Sequence, residues 1–381
     1  MRLEFIFELL LLVSAAIAVW QFCMAFVFPL RKRILSSQSL PNLTILKPLK
    51  GTDEFTEDCL KSWLEQDYRG EIQFIFAVDS ENDPAFAVCK QLAAKYPHCD
   101  ISIIACPANH GANSKVSKLV HVSELIKHEI IIVSDADVKV TPNLLSDSVE
   151  LFENQSVGLV CCLYWLANAE NLPMKIEAVA INADFWSQVL QARSLKPMNF
   201  ALGAVMMIRR KALEQIGGFK AVVNKLADDY WLGRLISEAG WKVDLSPFPV
   251  ELYHEKCSWK YIWSHQLRWA RTIRICEPIP YFLSIISNVT FWAVLSLATT
   301  HDLPGLTTIA LLVILMRAAM AGALQKRLTE KTLKLWNFYV PILKDLFAFA
   351  IWVSAFTGKK VKWRGKTYRV SKDGLMMESK N

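Results

Sequence analysis

The chain has 381 residues, enough for two or three domains, and carries a net charge of +7. Its 53% hydrophobic content is high for a soluble protein, and the apolar excess gathers at the two ends, as in a membrane protein with a soluble middle. That middle holds no basic stripe interleaved with aromatics, so no nucleic-acid partner is expected; the nine Cys, an odd number without a C-x-x-C pair, argue against a disulfide framework or a zinc site and fit reduced, buried thiols of a cytosolic domain.

Leu9 to Phe28 is about one bilayer's worth of apolar helix. Arg31-Lys32-Arg33 follows it at once. A cleavable signal peptide would carry its positive charge before the apolar core, so the segment reads as a retained anchor with the next domain in the cytosol. Leu43-Thr44-Ile45-Leu46 then reads as a first strand, closed by Lys47-Pro48-Leu49-Lys50-Gly51. Thr56 to Glu65 has helical spacing. Gln73 to Val78 is a second strand ending at Asp79, Ala85 to Tyr96 an amphipathic helix, and Ile101 to Ile104 a third strand. Ser117 to Lys127 reads as a helix and Ile130 to Val133 as a fourth strand. Strands alternating with helices of about ten residues predict an α/β domain with a mostly parallel sheet. No Gly-x-Gly-x-x-Gly and no Walker A pattern is present, which argues against an NAD site or an ATP P-loop.

Val157 to Val160 is a further strand, Glu177 to Leu190 a helix, and Ala201 to Ile208 an apolar strand containing Gly203. Asp228-Asp229-Tyr230 opens a helix to about Ala239. Gly240 to Val243 returns as a strand, and Trp259 to Ile275 is a basic, aromatic helix. Ile279 to Ala298 and Leu303 to Ala323 are each long enough to span a bilayer, with His301-Asp302 in a tight hairpin between them. Arg317 in the second span must snorkel or face protein. Phe338 to Phe356 is a third apolar stretch with Lys344-Asp345 inside it. Counting crossings against the positive-inside rule favours a re-entrant or interfacial helix there over a true span. Basic clusters at Arg31 to Arg33, Lys326-Arg327 and Lys359 to Lys366 lie beside these apolar stretches and suit anionic lipid headgroups.

The chemistry gathers in an ordered set. Asp135 and Asp137 end the fourth strand, so both are delivered to the carboxyl edge of the sheet, where ligands of open α/β sheets bind. Two hard oxygen donors there can hold Mg²⁺ or Mn²⁺, completed by substrate phosphates. Two Asp can equally just end a strand and cap a turn. Asp79 and Asp83 follow the second strand, and His265-Gln266-Leu267-Arg268-Trp269 lies just before the membrane. No Gly-x-Ser-x-Gly elbow is present.

Taken together, Lys47-Pro48-Leu49-Lys50-Gly51, Asp83-Pro84, Asp135-x-Asp137, Asp228-Asp229-Tyr230 and Arg268-Trp269 resemble the GT-A glycosyltransferases of the ceramide glucosyltransferase family and their bacterial relatives, the hopanoid glycosyltransferases. The likeness runs from about Leu43 to Arg274, with Trp363-Arg364-Gly365 and Tyr368-Arg369 similar to the family's tail. It implies a membrane anchor over residues 1–33, a GT-A domain over 41–278, a membrane region over 279–357 and a basic cytosolic tail over 358–381. It also implies an integral membrane enzyme, in a bacterial inner membrane with its catalytic domain cytosolic, moving a hexose from a UDP-sugar donor to a lipid acceptor. UDP-glucose with ceramide is one pair; UDP-N-acetylglucosamine with a hopanoid polyol is the other. A polymer synthase would need more membrane helices, and a silent lipid-binding scaffold would be expected to have lost an Asp site.

In that resemblance Asp135 and Asp137 hold a divalent metal, and Asp229 is the base of an inverting transfer, its proton affinity raised by Asp228. Lys115 matches an Asn-x-Lys pattern and sits near donor phosphates; a solvated surface Lys is the plainer reading. Lys47 and Pro48 meet the uracil or ribose. Of Asp79 and Asp83, one is expected only to cap a turn, with Asp83 the functional one. Asp228-Asp229 can also merely cap the helix at Tyr230. Arg268 can clamp a diphosphate and Trp269 can stack on a sugar or pack at the membrane rim. His265 departs from the family's Gln or Arg and leans towards the bacterial relatives. Gly203 lines the acceptor side, and Trp259 and Trp263 suit a membrane-interface belt.

Overall fold

The computed structural model describes residues 3–32, 40–299, 304–358, 360–363 and 366–378. Arg33, His301-Asp302, Lys359 and Arg364-Gly365 of the readings above lie outside them. Eight strands form one sheet: β1 (Leu43–Pro48), β2 (Ile72–Val78), β3 (Asp100–Ala105), β4 (Ile130–Ser134), β5 (Val138–Lys139), β6 (Val157–Leu166), β7 (Val205–Arg209) and β8 (Lys242–Leu252). Their spatial order is β3-β2-β1-β4-β7-β6-β8-β5. The strands β1 to β4 pair in parallel, with Leu46 of β1 opposite both Ile75 and Val133. Every residue of β1, β4 and β6 is buried, which is why these runs are continuously apolar rather than alternating.

One reversal places the site. β7 runs antiparallel to β4, with Val205 opposite Ser134, so the residues entering β7 reach the carboxyl edge where β4 ends. Asp135 N donates to Ala204 O at 3.1 Å. The strand expected over Ala201 to Ile208 is therefore shorter: it begins at Val205, and Ala201 to Ala204 form the turn into it.

Two helices also differ from expectation. The helix expected from Ser117 starts at Ser114, capped by Asn113, whose Oδ1 accepts from Lys115 N and Val116 N. The helix expected from Glu177 starts at Leu172, with Asn171 as its cap. It passes through a π-helical turn at Ala180–Phe185 before continuing as Trp186–Leu195. Such turns push side chains out of the ordinary helical face, and here the turn carries Asp184 and Phe185.

Three described helices are long and apolar enough to cross a bilayer: Phe5–Val27, Gly305–Thr329 and Trp336–Phe356. The span expected over Ile279 to Ala298 is broken instead. Pro278–Ser287 and Val289–Thr299 meet at 52°. The break falls at Asn288, whose Nδ2 donates to Asp345 O at 2.8 Å and whose Oδ1 accepts from Phe291 N at 3.1 Å. The Trp336–Phe356 helix touches the α/β domain along its length. Val340 joins the main core, Phe347 packs on Met174 and Ile262, and Ala355 packs on Ala270 and Tyr281. Trp259 and Trp263, expected in an interface belt, lie 6.2 and 5.6 Å from the Phe347 ring.

The first and second of these helices end side by side and cap one another. Arg31 donates to the Arg327 and Leu328 carbonyls, and Arg327 donates to Ala25 O and Phe28 O. Cations at helix carboxyl ends satisfy orphan carbonyls and oppose the dipole. Arg31 and Arg327, expected to face lipid headgroups, are thus occupied inside the protein. The tail is also more than a charged extension: β9 (Lys360–Trp363), β10 (Lys366–Val370) and β11 (Met376–Glu378) form a second sheet. Val361, Tyr368, Val370 and Met376 bury Leu226 against it.

Candidate active site

A single cavity of about 1500 Å³ runs from the carboxyl edge of the sheet to the membrane helices. Pro48, Lys50 and Gly51 line its sheet end; Asp135, Asp137, Lys115, Asp228 and Asp229 follow; then come Arg268, Trp269 and His265; Arg317, Met320 and Leu324 line the far end.

Lys47 corrects its expected role in meeting the donor. Its side chain is 0% exposed. The ammonium donates to Ser134 Oγ at 3.1 Å and Asp135 O at 2.6 Å, and lies over the Trp63 ring. Burial pulls its pKa down to about 8. Lys47 thus fastens the end of β4 from beneath, while Pro48 reaches the cavity.

The expected division between Asp79 and Asp83 also changes. Asp83 is the cap: its Oδ1 accepts from Ala85 N and from Gly51 N, each at 2.9 Å. Asp79 pairs with Lys50 at 2.7 Å and with Lys118. Burial acts against its charge, but the two lysines prevail and hold the carboxyl below its usual range. Neither Asp lines the cavity; each fixes a neighbour that does, Gly51 and Lys50.

Lys115 is not a solvated surface residue. It is 8% exposed and bridges Asp135 Oδ1 at 2.6 Å and Asp228 Oδ2 at 3.6 Å. Asn113 Nδ2 also reaches Asp228 Oδ1 at 3.2 Å, so the helix cap and the acid are held together. Burial raises the Asp135 carboxyl despite Lys115.

Asp137 takes a different partner, His254 Nε2 at 3.3 Å. His254 arrives because β8 ends at Leu252 beside the loop, with Tyr253 N donating to Asp137 O. Burial opposes the charge on Asp137, but the imidazole wins and lowers its pKa; burial likewise opposes charge on His254, and Asp137 raises it. Behind His254 lies Glu177, 0% exposed, whose Oε1 is bonded by His265 Nδ1 and Gln266 Nε2. Burial would raise Glu177, yet the His265 contact holds it low. That gives His265 a structural partner where the family pattern has Gln or Arg.

Asp229 stands apart. Its Oδ1 accepts from Tyr230 N at 2.8 Å, and it makes no ion pair among the described residues. The helix that it helps to open has Ala227 at its cap position with no side-chain cap bond, so capping is not what uses these acids. Burial first, then the Asp228 charge, push its pKa up to about 6. Gly203 is its floor: a Cβ there would lie 2.8 Å from Asp229 Oδ2. Arg268 also makes no ion pair among the described residues. Burial lowers its pKa against the pull of Tyr261 and Asp229. Trp269 packs its ring 6.1 Å from Phe185 and 4.8 Å from His265.

Asp135 and Asp137 fit a hard divalent cation in part. They supply oxygens at i and i+2 facing the cavity, but among the described residues no three His, Cys, Asp or Glu gather into a metal-holding group. The protein thus offers two carboxylates, and substrate phosphates must complete the shell.

At the membrane end, Arg317 donates to Asp184 and Asp345, each at 2.9 Å. Lys344 also contacts both acids, and Thr290 donates to Asp345 at 2.6 Å. Sequence reading missed Glu177, His254 and Asp184. Two of them carried a signal: His254 follows a strand end, and Glu177 is an isolated acid in an apolar helical run.

Residues 6–376 match the model of glycosyl transferase family 21. Ceramide glucosyltransferase 3 of Caenorhabditis elegans is 20% identical over 363 residues, covering 93% of this chain and 78% of its own. The ceramide glucosyltransferase of Komagataella phaffii is 37% identical over 127 residues, 32% of this chain and 25% of that protein. A beta-monoglucosyldiacylglycerol synthase of a Nostoc species is 26% identical over 234 residues, 61% of this chain and 49% of that one. Among solved structures, a mannosyltransferase from Pyrobaculum calidifontis, in complex with GDP-Man and Mn²⁺, superposes with a TM-score of 0.54 at 16% identity, covering 92% of this chain and 99% of its own. That likeness is one of fold, the GT-A type expected above.

Proposed function

The chain belongs to glycosyl transferase family 21, and on that premise we propose that it moves a hexose from a UDP-sugar to the hydroxyl of a membrane lipid, with UDP-glucose and ceramide as the leading pair. The single observation that carries the reading is the unbroken cavity from Asp135 to the membrane helices, with Asp229 facing it between the two ends. A sugar nucleotide suits the charged sheet end. A lipid alcohol suits the membrane end, where Met320 and Leu324 lie beside the self-paired charges of Arg317, Lys344, Asp184 and Asp345 and where it can present its hydroxyl without leaving the bilayer.

In this reading the transfer is one displacement. Asp229 accepts the proton of the acceptor hydroxyl as its oxygen bonds to the anomeric carbon. The bond from that carbon to the phosphate oxygen breaks, the electron pair leaves with UDP, and the configuration inverts. A pKa of about 6 leaves Asp229 ionised at neutral pH yet more basic than an ordinary Asp, which is what a general base needs. Mg²⁺ or Mn²⁺ on Asp135 and Asp137, when bound, would neutralise charge growing on the diphosphate. Lys115 holds Asp135 and Asp228 in place. Arg268, which makes no ion pair among the described residues, can take the diphosphate bidentately. Trp269 packs beside it as one wall of the sugar site.

The Trp336–Phe356 helix, held lengthwise to the domain, supports an interfacial placement over a third span. Anionic headgroups suit the cations around the membrane rim, and the cationic rim also supports a cytosolic domain, in a bacterial inner membrane. The test is lipid extraction and mass spectrometry from a host expressing the chain, alongside UDP release from membranes with and without EDTA. A new hexosylated ceramide made with EDTA-sensitive turnover is expected. An N-acetylhexosamine on a hopanoid polyol would select the other pair, and no turnover with any such acceptor would refute the enzyme reading.

A further inference from the structure

The proposed mechanism uses the Trp259–Cys276 helix at Arg268 and Trp269. Within the next two turns the same helix carries Arg271 and Arg274, which meet no acid among the described residues. Both spend donors on the tail backbone: Arg271 Nη1 on Lys360 O at 2.6 Å and Arg274 Nη2 on Gly358 O at 3.0 Å. The Nε of each is buried without a partner among the described residues. The tail brings two more cations. Lys360 and Arg369 sit directly opposite one another in the β9–β10 ladder, and both are exposed. Like charges facing across an antiparallel pair weaken it. Arg271, Lys360 and Arg369, with Thr357 and Gly358, line a recess of about 510 Å³. No carboxylate among the described residues lines it.

A recess lined by three cations, with a self-repelling strand pair, is short of an anion. Phe356 precedes the lining residue Thr357 in the chain and meets Phe282. Phe356 is 42% and Phe282 57% exposed, their rings lie 6.4 Å apart, and Arg274 lies over Phe356 at 5.5 Å. Phosphate matches the cations, and acyl chains match the two rings.

We propose that this recess binds the phosphate of an anionic phospholipid headgroup, with the chains lying along Phe282 and Phe356. The site rests on the membrane placement proposed above but not on the transfer reaction. Its consequence reaches the active site through the tail. The tail sheet holds the segment just before Asp228-Asp229: Met376 N donates to Asn224 O at 2.8 Å, Lys225 Nζ donates to Asp373 O, and Leu226 is buried among the tail's side chains. A bound phosphate offsets the Lys360–Arg369 repulsion, steadies β9 and β10, and through them steadies the approach to Asp229.

The test uses the full chain in nanodiscs of phosphatidylcholine, with and without phosphatidylglycerol, read by amide hydrogen exchange over 360–363 and 366–370. Phosphatidylglycerol should slow exchange there by about fivefold, the scale of one basic contact at an anionic surface. Arg369→Gln should abolish the slowing. Lys366→Gln, which removes an equal charge paired with Glu378 outside the recess, should keep it. Equal responses in the two variants, or no response in the wild type, would overturn the site. If millimolar inorganic phosphate in phosphatidylcholine discs protects as well as the lipid does, the lipid occupant is overturned and the phosphate comes from solution. Exchange needs no turnover, so the result stands apart from the fate of the proposed reaction.

Discussion

At the membrane end of the cavity four charged side chains meet and cancel; at the sheet edge as many meet and do not. Arg317 and Lys344 face Asp184 and Asp345, each cation reaching both acids, with Thr290 closing the remaining side. At the other end Lys115 pairs with Asp135 and Asp228 alone, while Asp229 and Arg268 make no ion pair among the described residues. A closed network costs desolvation and returns a fixed geometry; an open one keeps charge in hand for a ligand. The first joins the π-turn of the α/β domain to two membrane helices. The second waits for a diphosphate and a proton.

That contrast can be broken at its closed end with the largest effect. Arg317→Met leaves two buried acids with Lys344 alone, and removal of one partner from a buried pair costs about 3–5 kcal/mol. Thermal unfolding of the full chain in nanodiscs should show the loss, and the double variant Arg317→Met, Asp345→Leu should regain part of it. Unfolding of Arg317→Met at the wild-type temperature would remove the structural role of the network.

The open end should respond in the opposite manner. Gly203→Ala places a Cβ 2.8 Å from Asp229 Oδ2, where the movable atom is the end of the Asp229 side chain itself. The fold should tolerate this while the carboxylate is pushed aside, lowering kcat by about 10–100-fold, the scale of an ångström-sized misplacement. Unfolding at the wild-type temperature together with reduced kcat is the expected pair of results. Unchanged kcat would mean that the position of Asp229 is not set by this contact.

Much of the closed architecture and part of the open site could be read from residues alone. The apolar run Leu43 to Leu46 and the β-branched run Ile130 to Val133 suited buried parallel strands, and Asp135 and Asp137 followed from where the second run stops. Local pattern failed wherever a distant contact decided the outcome. The break at Asn288 falls in a stretch apolar enough to read as one span and depends on the Asp345 carbonyl, 57 residues away in the chain. The strand expected from Ala201 gives way to a turn because Gly203 must pass close to Asp229. Lys47 occupies a motif position that invites a ligand role, yet its ammonium is consumed by Ser134 and Asp135. The tail's basic composition concealed a sheet, because its few apolar residues find their partner in Leu226.

The role of Asp229 is tested most directly by kcat of wild type and Asp229→Asn from pH 5 to 8, with donor binding followed in parallel. Burial and Asp228 place the Asp229 pKa at about 6, so protonation should remove the base as pH falls through that value, and wild-type kcat should decline there. The variant should lose about 10²–10⁴-fold at pH 7, the usual contribution of a general base, while binding the donor as tightly as wild type. Near-normal turnover by Asp229→Asn, or donor affinity lost in step with kcat, would contradict the assignment.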